Sequence, residues 1–357
     1  MFGVRLPRLA GRTGAAVATA LAVALTLGAC GSDSQAPKAS GTGGGPTTVR
    51  VGITSSINNA TMNLAIDGKL GDAHGISLRR QNIAGAGSTN QVAALLAGDV
   101  DVAVGGTNTV IDAIAKGADV QIIAGMAPLL FSLTMRNEAA QKTGVAPDAP
   151  IENRLRALKG LRIAVSPSGS TGNIVLRTIL EGVGLKPDTD VRFVPLNDLG
   201  AIPAGLIQGT FDASFAAVGS GEVAVAQGKA VTWVSLPKGD VTSLKDYQGI
   251  VTYASRSYIE KNPDTVKAVH DALNDGQKMT VDQPDKAAEL LKNNIFKEMD
   301  KAVFDNMWAQ CKSAYPAGSN FTEVNWKTLV TLFDATSEND YAALKYDKLV
   351  APVARGN

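Results

Sequence analysis

The chain has 357 residues, 34 basic against 33 acidic, and 45% apolar side chains. That is enough for two compact lobes, but it offers no basic footprint for nucleic acid. Two cysteines and two isolated histidines argue against a disulfide framework and a histidine-based metal site; His74 and His270 read as loop and helix-surface residues.

The N-terminus carries Arg5, Arg8 and Arg12 with no acidic residue nearby. An alanine-rich apolar stretch over 14–27 follows, too short to span a hydrocarbon core of ~30 Å comfortably. It leads through Leu27, Gly28 and Ala29 into Cys30. Residues 1–29 therefore read as a cleavable signal peptide. The run into Cys30 resembles the lipobox of bacterial lipoproteins, which implies a thioether lipid on Cys30 and cleavage just before it. Loss of the three arginines from 34 basic residues leaves 31 against 33 acidic ones, so the mature chain is slightly negative. Residues 30–48 are rich in Gly, Ser, Pro and Thr. They read as the lipidated cysteine and a tether of ~18 residues with a reach of roughly 20–25 Å.

Beyond residue 48 the body is organised as a repeat. Residues 95–103 match 206–214 without gaps at a constant offset, and the match continues to the glycines Gly117 and Gly228. Each copy reads as a helix closed by glycine, a turn, a strand opened by Asp101 or Asp212, a second helix closed by glycine, then an apolar strand. Glycine suits helix ends because the left-handed conformation costs it least. The two aspartates, at matching places, read as structural turn caps. Upstream, 49–56 matches 161–168 with a one-residue slip, each a strand entering a Ser-rich loop. Alternating strands and helices argue for parallel or mixed sheets covered on both faces. After a strand at 250–254 the pattern turns helical: a helix opened by Asn262 and Pro263, then stretches at 287–291, 302–309, 326–333 and 341–349. Cys311 lies in one of them and reads as a buried apolar filler.

The order of these segments carries a family resemblance. Gly85, Gly87, Ser88 and Thr89 leading to the 95–103 run, Ser168 to Gly172 opening a helix, and Tyr258 to Pro263 opening the C-terminal helices resemble bacterial ABC-transporter solute-binding lipoproteins. The group is that of the nitrate, sulfonate and taurine binding proteins, with relatives that bind thiamine-pyrimidine precursors. The resemblance covers roughly 49–288. It implies an α/β type II periplasmic-binding-protein fold, two α/β lobes joined by two crossover strands with a ligand cleft between them. The crossovers are expected near 133–136 and 250–253, giving a discontinuous lobe 1 (49–136 plus 250–357) and a lobe 2 (137–249).

In such sheets ligands lie beyond the carboxyl ends of the strands, where helix N-termini present unpaired N–H groups. Four loops fit: Ser55, Ser56, Asn58 and Asn59 after the first strand; Ser88 and Thr89; Gly106, Thr107 and Asn108; and Ser168, Ser170, Thr171 and Gly172. The symmetry-related loop at 216–220 is less polar and reads as cleft wall. None of these loops contains Arg, Lys, Asp or Glu, which suits a small organic anion held by backbone dipoles or a neutral polar molecule, and disfavours a cation. The P-loop lysine and the third glycine of a dinucleotide fingerprint are missing, and no catalytic Ser/His/Asp or Cys/His set emerges. No catalytic residue, metal or cofactor is expected.

The resemblance thus implies a non-enzymatic extracytoplasmic receptor, lipid-anchored outside the cell membrane or facing the periplasm, monomeric, with an ABC permease as partner. The alternatives are a lipoprotein presenting its ligand to a sensor, a pyrimidine-precursor binder, or an enzyme like the pyrimidine-synthesising relatives, whose cysteine-rich motif is absent here.

Overall fold

The computed structural model describes residues 45–83, 88–334 and 339–356. The expected signal peptide, Cys30, and Gly85 and Gly87 lie outside the described residues. No helix among the described residues is long and apolar enough to cross a membrane.

Among the described residues, ten strands form two five-stranded sheets of the same topology. The first sheet takes β1 (Thr47–Ile53), β2 (Ile76–Asn82), β3 (Val102–Gly106), β4 (Val120–Ala127) and β10 (Ile250–Ser255), in the order β2-β1-β3-β10-β4. The second takes β5 (Phe131–Arg136), β6 (Arg162–Val165), β7 (Arg192–Pro195), β8 (Ala213–Ala217) and β9 (Ala230–Ser235), in the order β7-β6-β8-β5-β9. Four strands of each sheet run in one direction, while β10 and β5 run antiparallel to both neighbours. Strands β3 and β4 are buried along their whole length, as sheets covered on both faces require.

The covering helices follow in chain order. Those before the second sheet are α1 (Ala60–Asp67), α2 (Ser88–Ala97) and α3 (Thr107–Ala115). Within the second segment lie α4 (Asn137–Thr143), α5 (Ile151–Arg156), α6 (Thr171–Glu181), α7 (Ile202–Gln208) and α8 (Glu222–Ala226). The C-terminal set is α9 (Arg256–Lys261), α10 (Pro263–Asp282), α11 (Pro284–Asn294), α12 (Lys301–Cys311), α13 (Glu323–Phe333) and α14 (Tyr346–Leu349). Helix α10 begins with Pro263 in its first turn, where the missing N–H has no intrahelical acceptor to lose. It packs on α1 and β4 of the first sheet, whereas α12 touches α8 and α13 touches α6.

Several boundaries differ from the sequence reading. The chain passes between sheets at 128–130 and again at 236–249, so the first boundary falls before Phe131 rather than after Arg136. The reason is pairing: β5 hydrogen-bonds to β8 and β9 and is part of the second sheet. Thr47 and Thr48, assigned to the tether, already pair with Ile76 and Ser77. The expected helix at 341–349 shrinks to α14, because Tyr341 is buried and its hydroxyl donates to Asp112 Oδ1 at 2.8 Å. His270 is a buried residue rather than a surface one, with its ring nitrogens 3.2 Å from Asn320 Oδ1 and from Asn274 Nδ2. Burial holds its pKa below the ordinary histidine value. Cys311 is fully buried, and burial pushes its thiol pKa up.

The repeat is visible atom by atom. Arg50 N–H donates to Asp101 Oδ2 at 2.7 Å, and its guanidinium makes two further bonds to the same carboxylate at 3.1 and 2.8 Å. Arg162 treats Asp212 in the same way at 2.9, 3.1 and 2.8 Å. Each aspartate returns a bond through its own N–H to the carbonyl of its arginine. Each pair therefore locks a β1-type strand, at Arg50 within β1 and at Arg162 opening β6, to the entry of a β3-type strand. Gly98 and Gly209 close the preceding helices at φ 79° and 77°, conformations a side chain would strain.

Asp212 is held below the ordinary carboxylate pKa of 3.8, first by the Arg162 side-chain hydrogen bonds. Its contribution is complete above that value and fades as pH falls through the depressed pKa. Asp212→Ala is expected to lower the unfolding free energy by about 1–2 kcal/mol at pH 7, allowing for solvent screening of a half-exposed pair. The difference from the unsubstituted protein should narrow below about pH 3.8 in calorimetric melts.

Candidate ligand cleft

The carboxyl ends of β1, β3, β6 and β8 open into one cleft of about 720 Å³ between the sheets. Its walls are the loops that leave these strands and the N-termini of α2 and α6. Of the residues expected from sequence, Ser55, Ser56, Asn58, Asn59, Ser88, Gly106, Ser170, Thr171 and Gly172 line this space. The wall loop is there too, contributing Ala217, Val218, Gly219 and Ser220.

The polar side chains of the lining are held by one another and by backbone. Ser56 Oγ accepts the backbone N–H of Asn58, capping a short 3-10 turn. Asn58 Oδ1 accepts Leu130 N–H at 2.9 Å, tying the loop to the first crossover. Asn59 Nδ2 donates to the Thr54 carbonyl at 2.9 Å. Ser88 Oγ accepts Gly106 N–H at 2.6 Å, joining two cleft loops. Ser170 caps α6 by accepting Asn173 N–H at 3.3 Å.

The remaining four residues lie outside the lining. Thr107 and Asn108 are fully buried and face the second crossover: the Thr107 hydroxyl donates to the Gln248 carbonyl at 2.6 Å, and Asn108 Oδ1 accepts the Tyr247 hydroxyl. As the first residues of α3 they turn toward 247–249 instead of the cleft. Thr89 and Ser168 are exposed beside the cleft loops, the first because it lies on the outer side of the opening turn of α2 and the second because it precedes the α6 cap.

Other lining residues are not evident from the loop pattern. Asn197 and Asp198 follow β7, a short and half-exposed strand without a clear apolar signature, so its loop goes unread. Phe296 and Met299 come from the connection between α11 and α12, where no strand-end rule applies. Gln91 sits inside α2 next to the buried Val92 and near Leu95; a polar residue on that apolar stripe is the signal that points to it. Phe131 stands 5.3 Å from Phe215, ring centre to ring centre, and forms an apolar part of the wall.

The wall loop at 217–220 has a buried support. Glu222, 1% exposed, accepts Gly219 N–H at 2.5 Å and Gly221 N–H at 3.1 Å. Burial raises its carboxyl pKa above the ordinary value. Gly219, at φ 104°, lies against Met307 of α12, so the C-terminal helices brace this wall from outside the second sheet.

Asp198 is the one charged residue among those that line the cleft, and it is exposed at the rim with one carboxylate oxygen on Gly200 N–H. No lysine, arginine or histidine is among the described residues that line the space. No group of three or more His, Cys, Asp or Glu among the described residues is placed to hold a metal ion. What the arrangement can do is surround a small molecule with hydroxyls, amides and helix N-termini on one side and aromatic and thioether groups on another.

Comparison with known proteins bears directly on this geometry. The NMT1/THI5-like sequence profile matches residues 72–287. The chain belongs to the NMT1/THI5-like family. No curated protein matches it by sequence. Among solved structures, a Bordetella bronchiseptica RB50 protein superposes with TM-score 0.70 at 19% identity, over 85% of this chain and 94% of the other. The alkanesulfonate-binding protein SsuA of Xanthomonas axonopodis pv. citri, bound to MOPS, gives 0.64 at 21%, over 87% and 98%. The periplasmic nitrate-binding protein NrtA of Synechocystis PCC 6803 gives 0.56 at 15%, over 75% and 69%. These likenesses show the fold of this NMT1/THI5-like chain, a type II periplasmic-binding-protein fold of two lobes.

The lobes touch across the cleft. The Thr109 hydroxyl donates to the Gly169 carbonyl at 3.4 Å and lies 3.3 Å from Thr171 Oγ1. A Cβ on Gly106 would fall 2.2 Å from Thr171 Oγ1, so only glycine permits this approach. Gly106→Ala is expected to wedge the lobes apart, raising the radius of gyration in small-angle X-ray scattering. Adding Thr171→Ala should restore part of the compaction; a compact Gly106→Ala protein would contradict the contact.

Proposed function

We propose that this protein is the extracytoplasmic solute-binding component of an ABC importer, held at the membrane by a lipid on Cys30 and handing its ligand to the permease. The observation that carries the reading is the cleft at the strand ends, uncharged but for Asp198 at its rim, enclosed by two lobes between which the chain passes twice. SsuA and NrtA, which share the fold, are named for binding alkanesulfonate and nitrate. The ligand class we infer is a small organic anion, sulfonate-like, or a polar nutrient.

Mechanistically, the N-termini of α2 and α6 approach the cleft from opposite lobes. Each offers unpaired N–H groups and the positive end of a helix dipole. A ligand that touches both adds bonds available only when the lobes are together, so it shifts the population toward the closed form. A permease that recognises that form then receives loaded protein in preference to empty protein. Hydrogen bonding from Asn58 and Thr107 to the two crossovers couples the cleft loops to the segments that must bend. No step breaks a covalent bond; the role is capture and release. The lipid and tether keep a monomeric receptor within ~20–25 Å of its partner.

A thermal-shift and calorimetric screen over alkanesulfonates, nitrate, pyrimidines and related vitamins should find a ligand of micromolar or better affinity. At a hundredfold excess over Kd it should stabilise the protein by about 2.7 kcal/mol. A negative result throughout contradicts the reading. Independently, Cys30→Ser is expected to release the protein from membranes into the soluble fraction of expressing cells; unchanged anchoring contradicts the lipid assignment.

A further inference from the structure

The cleft is larger than its polar lining needs. About 720 Å³ is open between the lobes, and an ion the size of nitrate fills only a small part of it. Much of the rest is bounded by apolar groups that run on from a helix N-terminus. Gly172, in the first turn of α6, lies so close to Phe131 that a Cβ there would fall 2.6 Å from Phe131 Cε2. Phe131 pairs with Ala217 across β5 and β8, and the wall loop carries the surface on to Gly219. Met299 Cε lies 3.6 Å from where a Gly219 Cβ would stand, and Phe296 lines the same space.

Phe296 and Met299 are held in place but not sealed. Both are half-buried, and both line the cleft. They pack on an apolar cluster that includes Leu291, Phe304 and Met307, with the Phe296 and Phe304 ring centres 5.7 Å apart. Apolar surface that faces water gains when an apolar ligand body covers it. Both residues also lie beyond residues 72–287, the part of the chain that the family profile matches.

We infer that Phe296 and Met299, together with Phe131, form an apolar subsite that determines specificity, so that the cleft selects an organic anion carrying an aromatic ring over small anions such as nitrate or methanesulfonate. The anionic head takes the N–H groups at the start of α6, and the ring lies along the apolar surface that begins beside them at Phe131. Phenyl rings and a thioether sulfur both make favourable contacts with an aromatic partner. Discrimination by such a surface grows with the apolar area that the ligand covers. The inference rests on the reading of this cleft as the ligand site, and it narrows the ligand class to sulfonate-like anions with an aromatic body.

Benzenesulfonate and methanesulfonate share a head and differ in the body, so they test the subsite directly. Calorimetry should give benzenesulfonate a Kd about 10- to 100-fold tighter. Phe296→Ala and Met299→Ala should each cut that preference by about three- to tenfold. Phe296→Leu, which keeps apolar bulk, should retain most of it. A role confined to holding the loop predicts instead an equal loss for both ligands together with a lower melting temperature, and that result overturns the inference. Methanesulfonate or nitrate binding as tightly as benzenesulfonate also overturns it, while leaving the receptor function intact. Failure of both sulfonates to bind does the same, and if the wider screen is negative as well, the receptor reading falls with it.

Discussion

Everything in this molecule depends on the fact that the cleft loops and the crossovers are bonded to each other. Asn58 holds the first crossover through Leu130, and Thr107 holds the second through Gln248. The two sheets are each complete, with their own parallel strands and one antiparallel strand, so neither needs the other to satisfy its backbone. The angle between them is therefore set by the segments at 128–130 and 236–249, by the contacts of α12 with α8 and of α13 and α3 with α6, and by whatever lies in the cleft. Ligand binding and lobe angle become one variable, the requirement for a receptor whose loaded state must be recognisable from outside.

The chemistry of the cleft follows from that division of labour. Hydroxyls and amides that read from sequence as ligand contacts turn out to have a prior task, fixing the loops that carry them. Asn58, Asn59, Ser88 and Ser170 all hold protein partners. Their spare lone pairs and rotatable hydrogens, together with backbone N–H groups at helix starts, supply a neutral polar surface. Recognition by such a surface depends on the direction of each hydrogen bond more than on net charge. The buried Glu222 beneath the wall loop shows the same economy on the second lobe, where one carboxylate orders two backbone N–H groups.

Much of this was legible in the sequence, for identifiable reasons. The repeat located both aspartates and both helix-closing glycines, because equal backbone geometry demands equal residues, while the bonds of those aspartates to Arg50 and Arg162 emerge only in the fold. The strand-end rule found the loops of β1, β3 and β6, since serine and asparagine there announce turns and helix caps. It placed Thr107 and Asn108 in the cleft by position alone, and their true partners lie some 140 residues away in the second crossover, beyond the reach of local pattern. Phe296 and Met299 escaped for the same reason: a loop between two C-terminal helices is brought to the cleft by tertiary packing, and nothing in its own residues says so. Gln91 was legible in principle as a polar residue on an apolar helix face.

The central claim is that a small molecule in this cleft draws the lobes together. Thr89 and Ser168, exposed beside the cleft on opposite lobes, are suited to carry spin labels through cysteine substitutions in a Cys30→Ser background, since Cys311 is buried. Pulsed electron–electron double resonance between the two labels measures the closure directly. The account predicts that a bound ligand shortens the mean distance and narrows its distribution. A distribution that stays the same at saturating ligand would contradict it.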